Sequence, residues 1–332
     1  MRVLAAADKF KGTASAAQVC AAIGHACWSL NIDCTEIPMA DGGEGTLAVL
    51  GGPNRTSTVT GPLGTPVQAH WRLHRGTAVI EMAQASGLTL AGGPDNNDPL
   101  GATTRGTGEL IDQALNAGAK KIIVCLGGSA TTDGGLGALK AISTPARLRA
   151  VEFLVACDVD TTFVDAARVF APQKGASRAQ VELLTGRLEQ LAQTFQRDYN
   201  IDVTAMTGSG AAGGLAGALV ALGARLIPGF DLVADETGFY DAVREHDIIV
   251  TGEGLLDDTS YEGKVVGNVQ HLALEAGKKV IAIVGDVDKH IDSPEAQSLT
   301  TLSLTELFGT DEAHRNVLRR IEDAMLSYLQ TL

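Results

Sequence analysis

The sequence predicts an α/β protein of two domains, one a parallel-sheet domain made from both ends of the chain and the other inserted into it. Three observations predict this. The chain has 332 residues, more than one hydrophobic core usually serves. At both ends, short apolar runs alternate with amphipathic helical runs through Gly-rich turns. The centre is mixed, with β-rich sequence first and helices after it. Chain termini often share a domain, which assigns residues 1–55 and 230–332 to a discontinuous domain and 56–229 to an inserted mixed α/β domain.

The elements follow in order. Val3 to Ala7 is apolar, ends at Asp8-Lys9, and reads as a buried strand. Ser15 caps a helix whose apolar face runs through Val19, Ile23 and Ala26. Cys34 to Met39 is a second strand, followed by the turn Asp41-Gly42-Gly43-Glu44-Gly45-Thr46. From Thr56 to Met82 the chain is β-rich, with turns at Thr60–Gly64 and Arg75-Gly76. A helix near Gly106–Ala117 precedes the strand Ile122–Leu126, which enters a Gly-rich turn from Gly127 to Gly135. The strand Phe153–Cys157 ends at Asp158-Val159-Asp160. A polar helix at Arg178–Arg197 and a small-residue helix near Ala211–Leu222 complete the insertion. The end of the chain returns to βα units. Its strands are Ile248–Thr251, Val280–Val284 and Leu299–Leu304, with helices after Lys264 and over His314–Leu329.

Composition removes several function classes. A net charge of −13 disfavours nucleic acid and anionic lipid as partners. No apolar run approaches the ~20 residues of a membrane span, and the early Asp8-Lys9 argues against a signal peptide. The five cysteines form no CxxC pair and read as reduced thiols of a cytoplasmic protein. The seven histidines show no zinc spacing. Oligomeric state is not set by the sequence, and a homodimer is compatible with it.

The 39 glycines carry the functional signal. Ligands of open α/β sheets bind beyond the carboxyl ends of the strands, where Gly-rich turns and helix N-termini admit phosphate. At least four such turns here also carry acids: Asp41 with Glu44, Asp133, Asp158 with Asp160, and Glu253 with Asp257 and Asp258. A divalent cation reconciles acids with phosphate, because Mg²⁺ bridges carboxylate and phosphate oxygens. Lysines stand beside the same kind of turn at Lys9, Lys11, Lys174 and Lys264. No G-x-x-x-x-G-K-[ST] loop occurs, which excludes a P-loop kinase. A formal G-x-G-x-x-G at Gly208–Gly213 follows only a weak strand candidate, Asp202–Thr207, and reads better as a packing or anion-accommodating turn than as a dinucleotide site.

Taken together, these segments resemble the bacterial type I glycerate kinase family. The resemblance rests on Ala7-Asp8-Lys9-Phe10-Lys11-Gly12, on Pro38 to Thr46, and on Thr60-Gly61-Pro62-Leu63-Gly64. It continues through Val79-Ile80-Glu81-Met82-Ala83, Ala85-Ser86-Gly87-Leu88 and Gly106-Thr107-Gly108-Glu109-Leu110-Ile111. Gly127 to Thr131 with Asp133-Gly134-Gly135, Ala156-Cys157-Asp158-Val159, and Pro172-Gln173-Lys174-Gly175-Ala176 also match. Gly210 to Gly214 and Thr251-Gly252-Glu253-Gly254 close the series, which spans nearly the whole chain. It implies a flavodoxin-like domain plus a second α/β domain with the active site in the cleft between them. It implies ATP- and Mg²⁺-dependent phosphorylation of D-glycerate to 2-phosphoglycerate, with 3-phosphoglycerate as the less favoured product.

For that reaction the expected catalytic residues are Asp41, which orients or deprotonates the hydroxyl, Asp158 as the second choice for that role, and Lys174. Expected substrate contacts are Asp8, Lys11, Gly42, Gly43, Glu44 and Gln173. Gly127, Gly128, Ser129, Gly210, Gly213 and Lys264 are expected at the nucleotide and its phosphates, and Asp133 and Glu253 at Mg²⁺. The chain departs from the family pattern in three places: a short segment from Lys140 to Val151, the stretch Thr161–Ala166, and Leu255, Thr259 and Glu262 after Glu253. The last two bear on substrate affinity more than on the chemistry. Two other readings compete: an NAD-linked oxidoreductase using Gly208–Gly213, and a non-catalytic sugar-acid sensor.

Overall fold

The computed structural model describes all 332 residues. Its strands, in chain order, are β1 (Arg2–Ala5), β2 (Asp33–Glu36), β3 (Arg55–Thr60), β4 (Pro66–His74), β5 (Thr77–Glu81), β6 (Lys121–Cys125), β7 (Glu152–Ala156), β8 (Arg225–Ile227), β9 (Ile248–Leu256), β10 (Lys279–Val287) and β11 (Thr300–Ser303). The chain divides into two compact units, Met1–Asp41 with Phe230–Leu332, and Gly42–Gly229. No helix is long and apolar enough to cross a membrane.

The first unit holds a five-stranded, wholly parallel sheet in the order β2-β1-β9-β10-β11. Counted within the unit, that order is 2-1-3-4-5, the flavodoxin-like arrangement. Its central strands are apolar throughout because helices cover both faces, and Val3, Leu4, Ile281 and Ile283 are fully buried. The helix Ala16–Ser29 starts at a capping box, in which Ser15 and Gln18 satisfy each other's backbone N–H. Its Val19, Ile23 and Cys27 share a core with Ile321 and Met325 of the last helix, Val317–Leu329. The helix expected from His314 is broken at Asn316, whose backbone leaves the helical region at φ −123°.

β9 and β10 run on past the expected ends at Thr251 and Val284. Glycine makes this possible. A Cβ on Gly252 would lie 2.2 Å from the Ile283 carbonyl oxygen, and one on Gly285 would lie 2.4 Å from that of Gly254. The segment Gly252-Glu253-Gly254 is therefore strand rather than loop, and Glu253 is held by the sheet.

The second unit holds a six-stranded sheet, β3-β4-β5-β6-β7-β8. β3, β4 and β5 form an antiparallel meander, and β5 to β8 are parallel. Ile80, Ile122 and Val124 belong to its core with Leu110 and Ile111 of the helix Arg105–Asn116. Each such fully buried side chain contributes about 1.5–3 kcal/mol. A satellite core forms where the helix Arg178–Tyr199 places Leu188 and Phe195 against Phe163.

The unit starts at Gly42, not at residue 56 as the sequence suggested. The cause is Glu81 at the end of β5. Its carboxylate accepts the N–H groups of Gly45 (2.9 Å) and Leu47 (2.8 Å), which ties the short helix Thr46–Val49 to this sheet. Arg72 adds hydrogen bonds to the carbonyls of Gly51 and Gly52.

Candidate active site

In the second unit the most unusual side chain is Lys174, only 3% exposed. A short 3-10 turn, Pro172–Lys174, carries it, and Gly175 closes the turn at φ +92° with Pro94 packed where a side chain would go. Lys174 Nζ donates to Ser129 Oγ and to the Thr131 carbonyl, both at 2.7 Å, and lies 5.9 Å from the centre of the Phe170 ring. Burial pushes its pKa down to about 7, against the opposing pull of the Asp133 charge. Asn97 staples the turn, donating from Nδ2 to the carbonyls of Lys174 (2.9 Å) and Ala130 (3.0 Å). Two buried oxygens of this cluster, Asn97 Oδ1 and Thr131 Oγ1, have no hydrogen-bond partner. A polar ligand can offset such a desolvation penalty.

The glycine turns meet beside it. A Cβ on Gly127 would lie 2.9 Å from both Gly43 Cα and Glu44 N, so the loops after β6 and before Thr46 touch backbone to backbone. Gly42 packs as closely on Gly229, and its missing Cβ would stand 3.3 Å from Asp158 Oδ2. Asp158 Oδ1 accepts the Gly229 N–H at 2.6 Å. Gly42, Gly43, Glu44, Gly127 and Asp158 are thus gathered near the carboxyl ends of β6 and β7, where open α/β sheets bind ligands. Gln173 is exposed on the lysine's own turn.

Three of the expected site residues have structural work instead. Asp133 is fully engaged. Its Oδ2 accepts from Thr104 N (2.9 Å), Thr104 Oγ1 (2.9 Å) and Gly137 N (3.1 Å), and its Oδ1 from Gly135 N (3.0 Å). Burial raises its pKa while these donors lower it. The carboxylate pins the start of the helix Leu136–Ala141 to Thr104, which leaves it poorly placed to hold a cation. Gly210 and Gly213 are the other two. Ala212, Gly213 and Gly214 all have positive φ, and a Cβ on Gly213 would lie 2.0 Å from the Thr131 carbonyl oxygen. One on Gly210 would lie 2.3 Å from that of Thr162. The G-x-G-x-x-G is a buried packing turn, and residues 202–207 before it form no strand. A dinucleotide has neither the approach nor the strand end it needs there.

The first unit gathers Asp8, Asp41, Glu253 and Lys264. Asp8 follows β1, and its Oδ1 accepts the Lys9 N–H at 2.6 Å. Burial raises its pKa to about 6, with Lys9 lowering it and the Asp41 charge raising it further. Burial likewise raises Glu253 to about 7, where Ser260 and Lys264 lower it and Asp8 and Asp257 raise it. Glu253 Oε1 is buried without a hydrogen-bond partner, and so is the Tyr261 hydroxyl. Asp257 caps the turn Asp258–Tyr261 and lies 3.9 Å from Lys264 Nζ, which also donates to Thr259 Oγ1. Lys11 is exposed in the turn after Phe10.

No group of three or more acidic, histidine or cysteine side chains converges on one metal-sized point. Mg²⁺ nevertheless needs only one or two carboxylates beside water and phosphate. Glu253, with an orphaned oxygen and Asp8 in its field, fits that requirement; Asp133 does not.

Sequence reasoning gave no site role to Glu81, Asn97, Ser260 or Tyr261. Glu81 had a signal, a lone acid closing the apolar strand Ala78-Val79-Ile80. Asn97 sits in a polar loop and had none.

A family model described as the glycerate kinase family matches residues 3–146 and 142–331. The two matches meet within the Lys140–Val151 segment, where the short turn Pro145–Ala150 leads directly into β7. The glycerate 2-kinase of Escherichia coli K12 is 36% identical, covering 100% of this chain and 98% of that protein. The glycerate kinase of Halalkalibacterium halodurans is 38% identical over 86% of this chain and 85% of its own length. A crystal structure from Salmonella typhimurium LT2, described as a glycerate kinase 2, superposes with a TM-score of 0.85 at 33% identity, covering 100% of this chain and 98% of that one. The chain belongs to the glycerate kinase family and is an enzyme of the kinase class.

Proposed function

We propose that the chain transfers the γ-phosphoryl group of ATP to D-glycerate, forming 2-phosphoglycerate and ADP, in a Mg²⁺-dependent reaction. The observation that carries the reading is the buried Lys174, held by Ser129 and Thr131 next to the Gly127 and Gly43 turns. A lone buried ammonium is costly without an anion to meet. Phosphoryl transfer supplies one, because catalysis there is chiefly positioning and charge stabilisation on phosphate oxygens. An arriving phosphate also raises the lysine's pKa, so the group is charged when it is needed.

Asp41 accepts the proton of the attacking hydroxyl as that oxygen bonds to phosphorus and ADP leaves. Asp158 is the second choice for that role, although it already accepts the Gly229 N–H. Gly42, Gly43 and Gly127 let backbone approach the substrates closely. Lys11 and Asp8 address glycerate through its carboxylate and hydroxyls. Glu253 with Asp8 would hold Mg²⁺, which supplies positive charge on the phosphate oxygens when bound. The reaction takes place in the cytoplasm, in keeping with five free cysteines. An ADP-release assay with D-glycerate, with the product's phosphorus spectrum, tests the reading. Nucleotide-independent binding of glycerate alone would favour the sensor.

A further inference from the structure

Three of the four residues from Gly42 to Gly45 are glycine, and Gly42 and Gly45 hold φ at +83° and +98°. Such a turn loses much backbone entropy when it is fixed in one shape. Gly45 stands at the start of the helix Thr46–Val49 and brings no side chain to cap it. The cap comes from another element. Glu81, 5% exposed at the end of β5, accepts the N–H groups of Gly45 and Leu47 on one oxygen, Oε1, and the Gln84 side chain also donates to its carboxylate. A Ser or Asp at the N-cap itself would satisfy such groups without burying a carboxylate. What the distant acid adds is a link between elements. Glu81 pairs in register with Cys125 of β6, and the Met82 N–H donates to the Cys125 carbonyl at 3.0 Å. Just beyond Cys125, Gly127 packs on Gly43 and Glu44. One strand end thus grips the turn while its neighbour abuts it.

We propose that Glu81 is a positioning residue for glycerate, fixing the backbone of Gly42, Gly43 and Glu44 against the Gly127 loop before the substrate arrives. The inference deepens the glycerate reading and rests on it, because those three residues are the substrate contacts of that reading. Glu81 acts through the turn and touches no substrate. A turn ordered in advance spares the substrate the entropy of ordering it, so its loss appears as weaker binding. The effect belongs to glycerate rather than to ATP, because Lys174, which meets phosphate, is held separately by Ser129 and Thr131. Reach matters here more than charge. Oε1 alone accepts both N–H groups, and an amide oxygen at the same place accepts them too. Gln84 has an amide of its own and can turn it to accept the N–H that such a change introduces. An aspartate keeps the charge but falls one methylene short of the turn.

The test compares Glu81→Asp and Glu81→Gln with wild type by ADP release, varying D-glycerate and ATP in turn, with melting temperature verifying that each variant is folded. Glu81→Asp should raise the KM for D-glycerate by about tenfold and leave the KM for ATP within about twofold. Glu81→Gln should keep both values within about threefold of wild type. An acid that only capped the helix would lower the melting temperature of Glu81→Asp without moving the KM for glycerate, and that result would overturn the positioning role and leave the kinase reading standing. Equal rises in both KM values, or a Glu81→Gln as impaired as Glu81→Asp, would overturn it as well. Hydrogen exchange on the wild-type protein needs no variant: the Gly45 and Leu47 amides should be protected before glycerate is added, and exchange at the rate of an open loop would contradict the proposal. Wild-type protein that releases no ADP with D-glycerate would overturn the glycerate reading itself.

Discussion

Lys174 Nζ lies 2.7 Å from Ser129 Oγ, joining the turn at Pro172–Lys174 to the glycine loop that follows β6. The pair brings a desolvated positive charge to the end of a parallel strand. Replacing Lys174 by Met should lower kcat by roughly 10²–10³-fold, as loss of a preorganised charge does. The variant should also change the pH dependence of stability. A lysine whose folded pKa is about 7 carries its full burial penalty below pH 7, and that penalty fades toward its unfolded pKa of 10.5. The melting-temperature difference, variant minus wild type, should therefore fall as pH rises from 7 to 10. A flat difference would mean that Lys174 is not buried in charged form.

Asp41→Asn should reduce kcat by about 10²-fold or more with little change in KM for ATP. Steady-state kinetics at saturating Mg²⁺ provide the comparison. A kcat near wild type would move the proton-accepting role to Asp158.

Glu253 gives a prediction of opposite sign to that for Lys174. Its folded pKa of about 7 exceeds the ordinary 4.5, so the charged form is penalised fully above pH 7 and not at all below about pH 4.5. Glu253→Gln should melt higher than wild type at pH 8 and near it at pH 4.5, while requiring more Mg²⁺ for half-maximal rate. An unchanged Mg²⁺ requirement would remove Glu253 from the metal site.

Asp133→Asn separates structure from chemistry. The amide places N–H groups against donors that now meet a carboxylate, which should cost about 2–4 kcal/mol in denaturant unfolding. The Mg²⁺ requirement should stay within about twofold of wild type. A large shift in that requirement with stability intact would return Asp133 to the metal.

Much of this fold was legible in advance, and the reasons are physical. Strands such as Ile122–Val124 are buried on both faces and so read as continuous apolar runs. Ser15 announced a helix because its capping box is local in sequence. What escaped depended on distant neighbours. β9 outlasts Thr251 because Gly252 and Gly285 admit backbone from the neighbouring strand. The unit boundary moved to Gly42 because Glu81, thirty-six residues on from Gly45, holds that segment. In the sequence the glycine turns and a lysine beside Gly175 stood out as candidates, but Asp133 and Glu253 looked alike. Only their hydrogen bonds distinguish an acid spent on four donors from one with an orphaned oxygen.

The most direct measurement combines purified protein, ATP, Mg²⁺ and D-glycerate, with ADP release followed by coupled assay and the product identified by phosphorus NMR. ADP should form only when D-glycerate is present, one for each 2-phosphoglycerate. Glycerate binding without ADP release, or ADP release that does not depend on glycerate, would contradict the assignment of this chain as a glycerate-phosphorylating enzyme.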